Sequence, residues 1–413
     1  MRAGGASTPA RRCREATHVY ARGLVDLERQ LRALLAPLMV GDELLPGARF
    51  VESSTEFGLR LSFAVGDEAV HVELEPVAEG IAPPHAARTP RFFVSYRVTA
   101  TRARLPPQLG PALCRRVVEL LRENEEEVLR ALAAEGSRAT QEGGTRIRRV
   151  EIERLLVDAG TPGARYRTLS PYVGCLVGCR FCYAQSRLAS SRRLLGLADV
   201  PWGSYVDARI NAPEVLAREL AARPPLPLKF CPIVSDPYHA IERTLGLTRA
   251  CLEVLARPEL TPPATFVLTR AALVERDLEL LASLRNAHVG FSIPTHDDAL
   301  RAHFEPRAAP IAERVRVLRV FRAHGVRTFA MVQPILTDDV EALADLLAGC
   351  ADSVRLDVLR GVYGAADDFA DPRHAPFADA PLQTARADAL AAALVARGVA
   401  LWPDELPHAF CKR

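Results

Sequence analysis

Lysine is almost missing from this chain: it occurs only at Lys229 and Lys412, and arginine carries the rest of the basic charge. Acids nearly balance it, with 53 Lys+Arg against 50 Asp+Glu, so the net charge is only +3. That excludes a broad electrostatic footprint for nucleic acid or an anionic membrane. The arginine bias, beside abundant alanine, reads as genome composition and not as a binding face. No apolar run approaches the roughly 18 residues of a membrane span. Residues 1–14 are small and basic without the apolar stretch of a secretory signal. Six of the nine cysteines (Cys13, Cys114, Cys231, Cys251, Cys350 and Cys411) are scattered and form no disulfide framework. A reducing cytoplasm is therefore the expected setting.

What is present is an ordinary core-forming composition, 49% hydrophobic over 413 residues, enough for two domains or one large one. Residues 1–14 read as a tail, and 15–40 place Leu24, Leu27, Leu31, Leu34 and Leu35 at helical spacing. Strand-like stretches follow near 48–54, 58–65, 69–76 and 91–101, then a helix over about 107–134. Residues 136–144 are polar and Gly-rich and read as a linker. The expected organisation is an α+β domain over 1–140, a linker over 141–165 and a second domain over 166–413.

The second domain alternates strands and helices. Candidate strands are 168–173, 228–234, 264–269, 288–293, 327–333 and 353–358, with helices near 212–222, 247–256, 273–284, 310–323, 338–349 and 381–397. Continuous apolar strands alternating with helices imply a parallel sheet covered by crossovers. The fold class predicted is α/β: a partial (β/α)6 TIM-like barrel preceded by a smaller α+β domain.

Cys175, Cys179 and Cys182 lie in Ser-Pro-Tyr-Val-Gly-Cys-Leu-Val-Gly-Cys-Arg-Phe-Cys-Tyr-Ala, with C-x3-C-x2-C spacing. Cluster irons are held by Cys thiolates, four of them when the cluster is closed. Three thiolates on one loop hold three irons of a cubane and leave the fourth open. Gly174 and Gly178 let the backbone bend beside the ligands. A zinc site competes poorly, since it usually takes four ligands in paired spacings. The loop follows the first strand, at the carboxyl end where barrel chemistry gathers.

This spacing, followed by Tyr183, resembles the signature of the radical S-adenosylmethionine (SAM) superfamily. The resemblance implies a [4Fe-4S] cluster whose open iron is chelated by S-adenosylmethionine, and a 5'-deoxyadenosyl radical that abstracts hydrogen. Ser-Asp-Pro-Tyr-His from Ser235, Phe-Ser-Ile-Pro-Thr-His from Phe291, Phe-Glu-Pro-Arg from Phe304 and Met-Val-Gln-Pro-Ile from Met331 narrow it. Over about 166–360 these are similar to the spore photoproduct lyase-related branch. Carried over, Cys175, Cys179 and Cys182 are the metal ligands, and Phe181 and Tyr183 flank the cluster and adenine. Ser235 sits near the methionine amino group, Arg270 meets the carboxylate with its donor fork, Ser292 faces the ribose, and Gln333 and Ile335 approach the adenine. Strand-end capping competes for Ser235, Ser292 and Gln333, and an ion pair for Arg270.

Asp236, Tyr238 and Cys231 are the catalytic candidates. Asp236 binds substrate or anchors its own turn. Cys231 is either a hydrogen donor or a small core residue, since Ile233 stands where the true lyases carry their donor cysteine. That departure weakens thymine-dimer repair. Glu305 and Arg307 read as an ion pair, Asp297 and Asp298 as helix caps, and residues 364–381 as a lid or a plain loop. The function expected is a radical SAM enzyme, supplied by a reductase or a flavodoxin or ferredoxin, acting on a ribosomally made peptide or protein. Nucleic-acid lesion repair and a non-enzymatic metal-binding module are the alternatives, and no membrane partner is expected.

Overall fold

In the computed structural model of this protein, the described residues run from 38 to 410, without 55–58, 67, 77–85, 90–91, 100–105, 138–139, 143, 161–163, 196, 198, 231–233 and 360. The helix expected over 15–40 lies outside them apart from its last residues, and so do Cys13, Cys231, Ile233 and Cys411. The chain divides into two compact units. One comprises Met1–Glu153, Arg187–Val200 and Asp207–Asn211; the other comprises Arg154–Ser186, Pro201–Val206 and Ala212–Arg413.

The first unit contains β1 (Glu43–Leu45), β2 (Ala48–Ser54), β3 (Leu59–Val65), β4 (Glu68–Pro76), β5 (Ala87–Arg88) and β6 (Phe92–Thr99). They form one antiparallel sheet in the order β1-β2-β3-β4-β6-β5. Val70, Val72 and Leu74 of β4 are buried, as a period of two requires when one face is covered. Helix α1 (Leu109–Ser137) buries Leu113, Val117 and Leu121, each four residues from the next on one stripe. The expected linker is a correction. The helix continues through Ser137, and β7 (Thr140–Glu142) pairs antiparallel with β8 (Thr145–Val150). Gly144, at φ +81°, supplies the left-handed residue of that hairpin and does not loosen a tether.

The second unit is mixed α/β. Its strands are β9 (Leu156–Ala159), β10 (Tyr166–Leu169), β11 (Tyr172–Val173), β12 (Tyr205–Arg209, shared between the units), β13 (Leu228–Phe230), β14 (Thr265–Thr269), β15 (Ala287–Ser292), β16 (Arg327–Val332), β17 (Ser353–Leu356) and β18 (Ala400–Leu401). Eight of them build a sheet in the order β18-β17-β16-β15-β14-β13-β10-β9. β9 runs antiparallel to β10, and every other neighbouring pair is parallel. From β13 to β18 neighbours succeed one another in sequence. Crossovers of one hand then place the connecting helices on one face.

Those helices are α3 (Ala212–Ala222), α4 (Glu242–Leu245), α5 (Leu247–Leu255), α6 (Leu278–Ser283), α7 (Asp298–Phe304), α8 (Ile311–Ala323), α9 (Val340–Ala348), α10 (Ala366–Ala370) and α11 (Ala380–Ala396), while α2 (Ala184–Leu194) is divided between the units. Every residue of β10, β13, β14 and β15 is buried, which suits their mostly apolar sequences, with Arg167, Lys229 and His288 as enclosed exceptions. Two expectations change in detail. The strand over 168–173 breaks after Leu169 into β10 and β11, and the helix over 273–284 opens as a 3-10 turn, Ala272–Asp277.

Candidate functional site

The three cysteines lie on the loop between β11 and α2, and its backbone is tied down at each step. The Gly174 amide donates to the Val234 carbonyl at 2.9 Å, and the Ser235 hydroxyl donates to the Gly174 carbonyl at 2.7 Å. Further on, the Arg180 amide reaches the Phe304 carbonyl at 2.9 Å. The Gln185 side-chain amide donates to the carbonyls of Cys179, at 3.3 Å, and Arg180, at 2.8 Å. Gly174 and Gly178 have φ of +85° and +69°. A Cβ on Gly174 would fall 2.6 Å from the Tyr205 carbonyl oxygen, so both torsion and space demand glycine there.

Cys175, Cys179 and Cys182 share one hollow with Val177, Ala184, Trp202, Ser235, Asp236 and Arg270. A neighbouring hollow is lined by Phe181, Cys182, Tyr183, Arg270, Gln333, Pro334, Leu359 and Tyr363. Cys182 and Arg270 belong to both. Burial, with Asp236 and Cys182 nearby, pushes the Cys175 thiol up to about 12. Burial also raises Cys179 and Cys182. Three closely set thiols of this kind stay protonated until a cationic core converts them to thiolates. Among the described residues, no three His, Cys, Asp or Glu side chains converge on one metal-ion position. A cubane does not require such convergence, because each thiolate binds its own iron.

A buried charge network supports this loop. Arg270 Nε donates to Glu305 Oε1 at 2.6 Å, and Arg314 Nη2 donates to Glu305 Oε2 at 2.6 Å. Glu305 and Arg314 are wholly buried. Burial alone would raise the Glu305 carboxyl, but Arg314 and Arg270 hold it below the usual carboxylate range. Asp236 accepts from Thr269 Oγ1 at 2.6 Å, the Tyr238 amide at 2.8 Å and the Arg270 amide at 2.7 Å. It therefore clamps the loop after β13 to the end of β14. With its Nε engaged by Glu305, the guanidinium of Arg270 still lines both hollows.

The sequence profile of the radical SAM superfamily matches residues 169–347, the segment holding the cysteine loop and strands β13 to β16. Residues 169–347 are thus similar to the radical SAM superfamily. An uncharacterized protein of Methanocaldococcus jannaschii is 30% identical over 183 residues, covering 44% of this chain and 64% of the relative. The chain spans 54–64% of the length of the curated relatives it matches. Among solved structures, spore photoproduct lyase complexed with dinucleoside spore photoproduct gives a TM-score of 0.36 at 18% identity, over 51% of this chain and 60% of that one. Streptococcus suis SuiB bound to S-adenosylmethionine gives 0.34 at 14%, over 59% and 47%.

Within and around the matched segment, the structure sorts the residues singled out from sequence. The three cysteines, Ser235, Asp236 and Arg270 meet in the first hollow, and Phe181, Tyr183, Gln333 and Arg270 in the second. Three others lie apart from both hollows. Tyr238 is buried, and its hydroxyl donates to Asp277 at 3.0 Å. Ser292 is enclosed at 2% exposure and Ile335 at 0%, and neither lines a hollow. The backbone of Ile335 is held on both sides by Gln383. Glu305 pairs with Arg270 and Arg314 and not with Arg307. Arg307 instead lies against Gly178 and Gly203, where a Cβ would meet its Nη2 at 2.5 Å and 1.9 Å. Asp297 does cap α7, accepting from Ala299 and Leu300. Cys231 lies outside the described residues.

Sequence reasoning passed over three features. Trp202 lines the cysteine hollow, and its being one of only two tryptophans was the available signal. Gln185 holds two loop carbonyls, and nothing in its local pattern announces that. The segment after β17 packs Ala365, Phe369 and Phe377 into one apolar cluster with Cys175, Cys179, Phe181 and Phe304. The spaced aromatics of 369–377 were visible but had no partner face until the cysteine loop was placed.

Proposed function

We propose that this protein is a radical SAM enzyme of the spore photoproduct lyase-related branch, with its second unit an open, partial (β/α)6 barrel. When bound, a [4Fe-4S] cluster and S-adenosylmethionine would supply a 5'-deoxyadenosyl radical that abstracts hydrogen from substrate. Cys175, Cys179 and Cys182 would hold three irons. Arg270 would offer its free donors to the methionine carboxylate, and Phe181, Tyr183 and Gln333 would bound the neighbouring adenosyl space. The observation that carries this reading is the meeting of three cysteines and one guanidinium in a single hollow that shares Cys182 and Arg270 with a second.

The substrate we propose is a peptide or protein. The near-neutral charge supports this over nucleic acid, whose binding rests on phosphate neutralisation. The six-stranded antiparallel sheet of the first unit suits recognition of an extended peptide along a sheet edge. Reconstitution without oxygen, followed by reduction with S-adenosylmethionine, is expected to give a brown protein that forms 5'-deoxyadenosine. Cys175→Ala should lose both iron and turnover. Zinc as the only bound metal, or full activity in that variant, would overturn the reading.

A further inference from the structure

The chain has two tryptophans, and their indole nitrogens are treated differently. Trp402 donates from Nε1 to Ser353 Oγ at 2.9 Å. Trp202 Nε1 is enclosed from solvent and has no hydrogen-bond partner. Trp202 also lines the cysteine hollow and packs against the cluster of side chains that includes Cys175 and Cys179. A buried donor left unpaired costs about 1–3 kcal/mol. Such a group in a native fold calls for an explanation, an absent ion or ligand among them. For packing alone, phenylalanine would serve without the polar atom.

The local backbone holds this indole beside the metal loop. The Ser204 amide closes a turn onto the Pro201 carbonyl at 3.1 Å. Gly203, at φ +89°, presses so closely on the loop that an added Cβ would fall 2.9 Å from Gly178 Cα. Trp202 is thus fixed next to the segment between Cys175 and Cys179. On the Trp202 side, beside the segment between Cys175 and Cys179, the acceptors that loading would bring are sulfurs, thiolate or inorganic sulfide; the methionine carboxylate would lie at Arg270. Hydrogen bonds to those sulfurs are among the factors that set cluster potential.

We propose that the Trp202 indole N–H donates a hydrogen bond to a sulfur of the cluster held by Cys175, Cys179 and Cys182, and raises its reduction potential. This rests on the cluster reading above. The sign follows from charge. Reduction adds an electron to the cluster, its sulfurs become better acceptors, and the N–H bond strengthens in the reduced form. Removing the donor destabilises the reduced form more than the oxidised one.

The test uses the full chain, reconstituted without oxygen, with tryptophan labelled at the indole nitrogen by 15N. Iron content and the brown absorbance are read first, so failure to form any cluster in the wild type is recognised as failure of the cluster reading itself. In the loaded, reduced wild type, pulsed EPR is expected to show a 15N coupling to the cluster spin. The coupling should persist in Trp402→Phe and vanish in Trp202→Phe. The Trp202→Phe potential should fall, with the reduction equilibrium shifted roughly tenfold, or about 59 mV for a one-electron couple. A loaded wild type with no 15N coupling would overturn the proposal, as would a Trp202→Phe protein of unchanged potential. If Trp202→Phe fails to load, the labelled wild type and Trp402→Phe decide the matter on the coupling alone.

Discussion

At the scale of single residues, the charge arrangement behind the cysteine loop is unusually exposed to one substitution. Glu305 is wholly buried and is shared by Arg270 and Arg314, themselves buried to 15% and 0% side-chain exposure. Glutamine at 305 keeps the shape and removes the charge, leaving two guanidinium groups enclosed without their counterion. Breaking a buried pair in this way costs about 3–5 kcal/mol. Glu305→Gln should therefore lose stability of that order, seen as a lower denaturant midpoint. It should also retain less iron, because Arg270 borders the hollow that holds the cysteines. Adding Arg314→Met should recover part of the loss, since a second vacated charge no longer needs pairing, and the two substitutions should be strongly non-additive. Full stability in Glu305→Gln alone would show that the pairings are not stabilising.

At the scale of elements, the residues after β17 act as a strap over the cysteine loop. Asp368 of α10 accepts from Arg180 Nη1 at 2.8 Å and lies 2.8 Å from His303 Nε2, while Phe369 stacks on Phe304 with ring centres 5.2 Å apart. Arg180 is 45% exposed, so this ion pair is screened and worth at most about 1 kcal/mol. Asp368→Ala should leave the global unfolding midpoint nearly unchanged and speed amide exchange locally over 361–381. Unchanged exchange there would mean that the aromatic packing alone seats the strap. This segment also shows where sequence reading stops. The helices over 212–222 and 310–323 were legible because their apolar spacing is local, and they appear as α3 and α8. The cysteines were legible because three ligands share eight residues. The strap's aromatics, the Arg270–Glu305–Arg314 arrangement and Trp202 depend on residues far apart in sequence, so no local pattern encodes their partners. The Tyr238–Asp277 hydrogen bond was hidden for the same reason, because the two residues are 39 apart in sequence. Glycine-rich 136–144 misled differently: a polar hairpin and a polar tether have the same composition.

At the scale of the whole molecule, stability should be sensitive to mild acid, and two histidines give the reason. His239 is 1% exposed, and neither ring nitrogen has a hydrogen-bond partner. Burial pushes it down from 6.5 to about 3. His288, stacked on Phe266 with ring centres 4.5 Å apart, is pushed down to about 4 by burial, with Arg327 adding to the effect. Both rings are neutral in the folded chain at pH values where the unfolded chain already binds a proton. The unfolded state therefore takes up protons first as pH falls below 6.5, and stability declines until the folded values are reached. One proton corresponds to about 1.4 kcal/mol per pH unit, so the two together should remove roughly 2–3 kcal/mol between pH 6 and pH 5. Two fully buried carboxylates are among those that modify the profile at lower pH. Burial raises Asp236, so its folded form takes up a proton early and softens the decline. Glu305, held low by Arg314 and Arg270 against the opposing effect of burial, steepens the decline below 4.5. Denaturant unfolding at a series of pH values, on wild type and His239→Phe, measures the slope. The variant should lose about half of it between pH 6 and pH 5, and equal slopes in the two proteins would show that His239 reaches water or a partner on protonation.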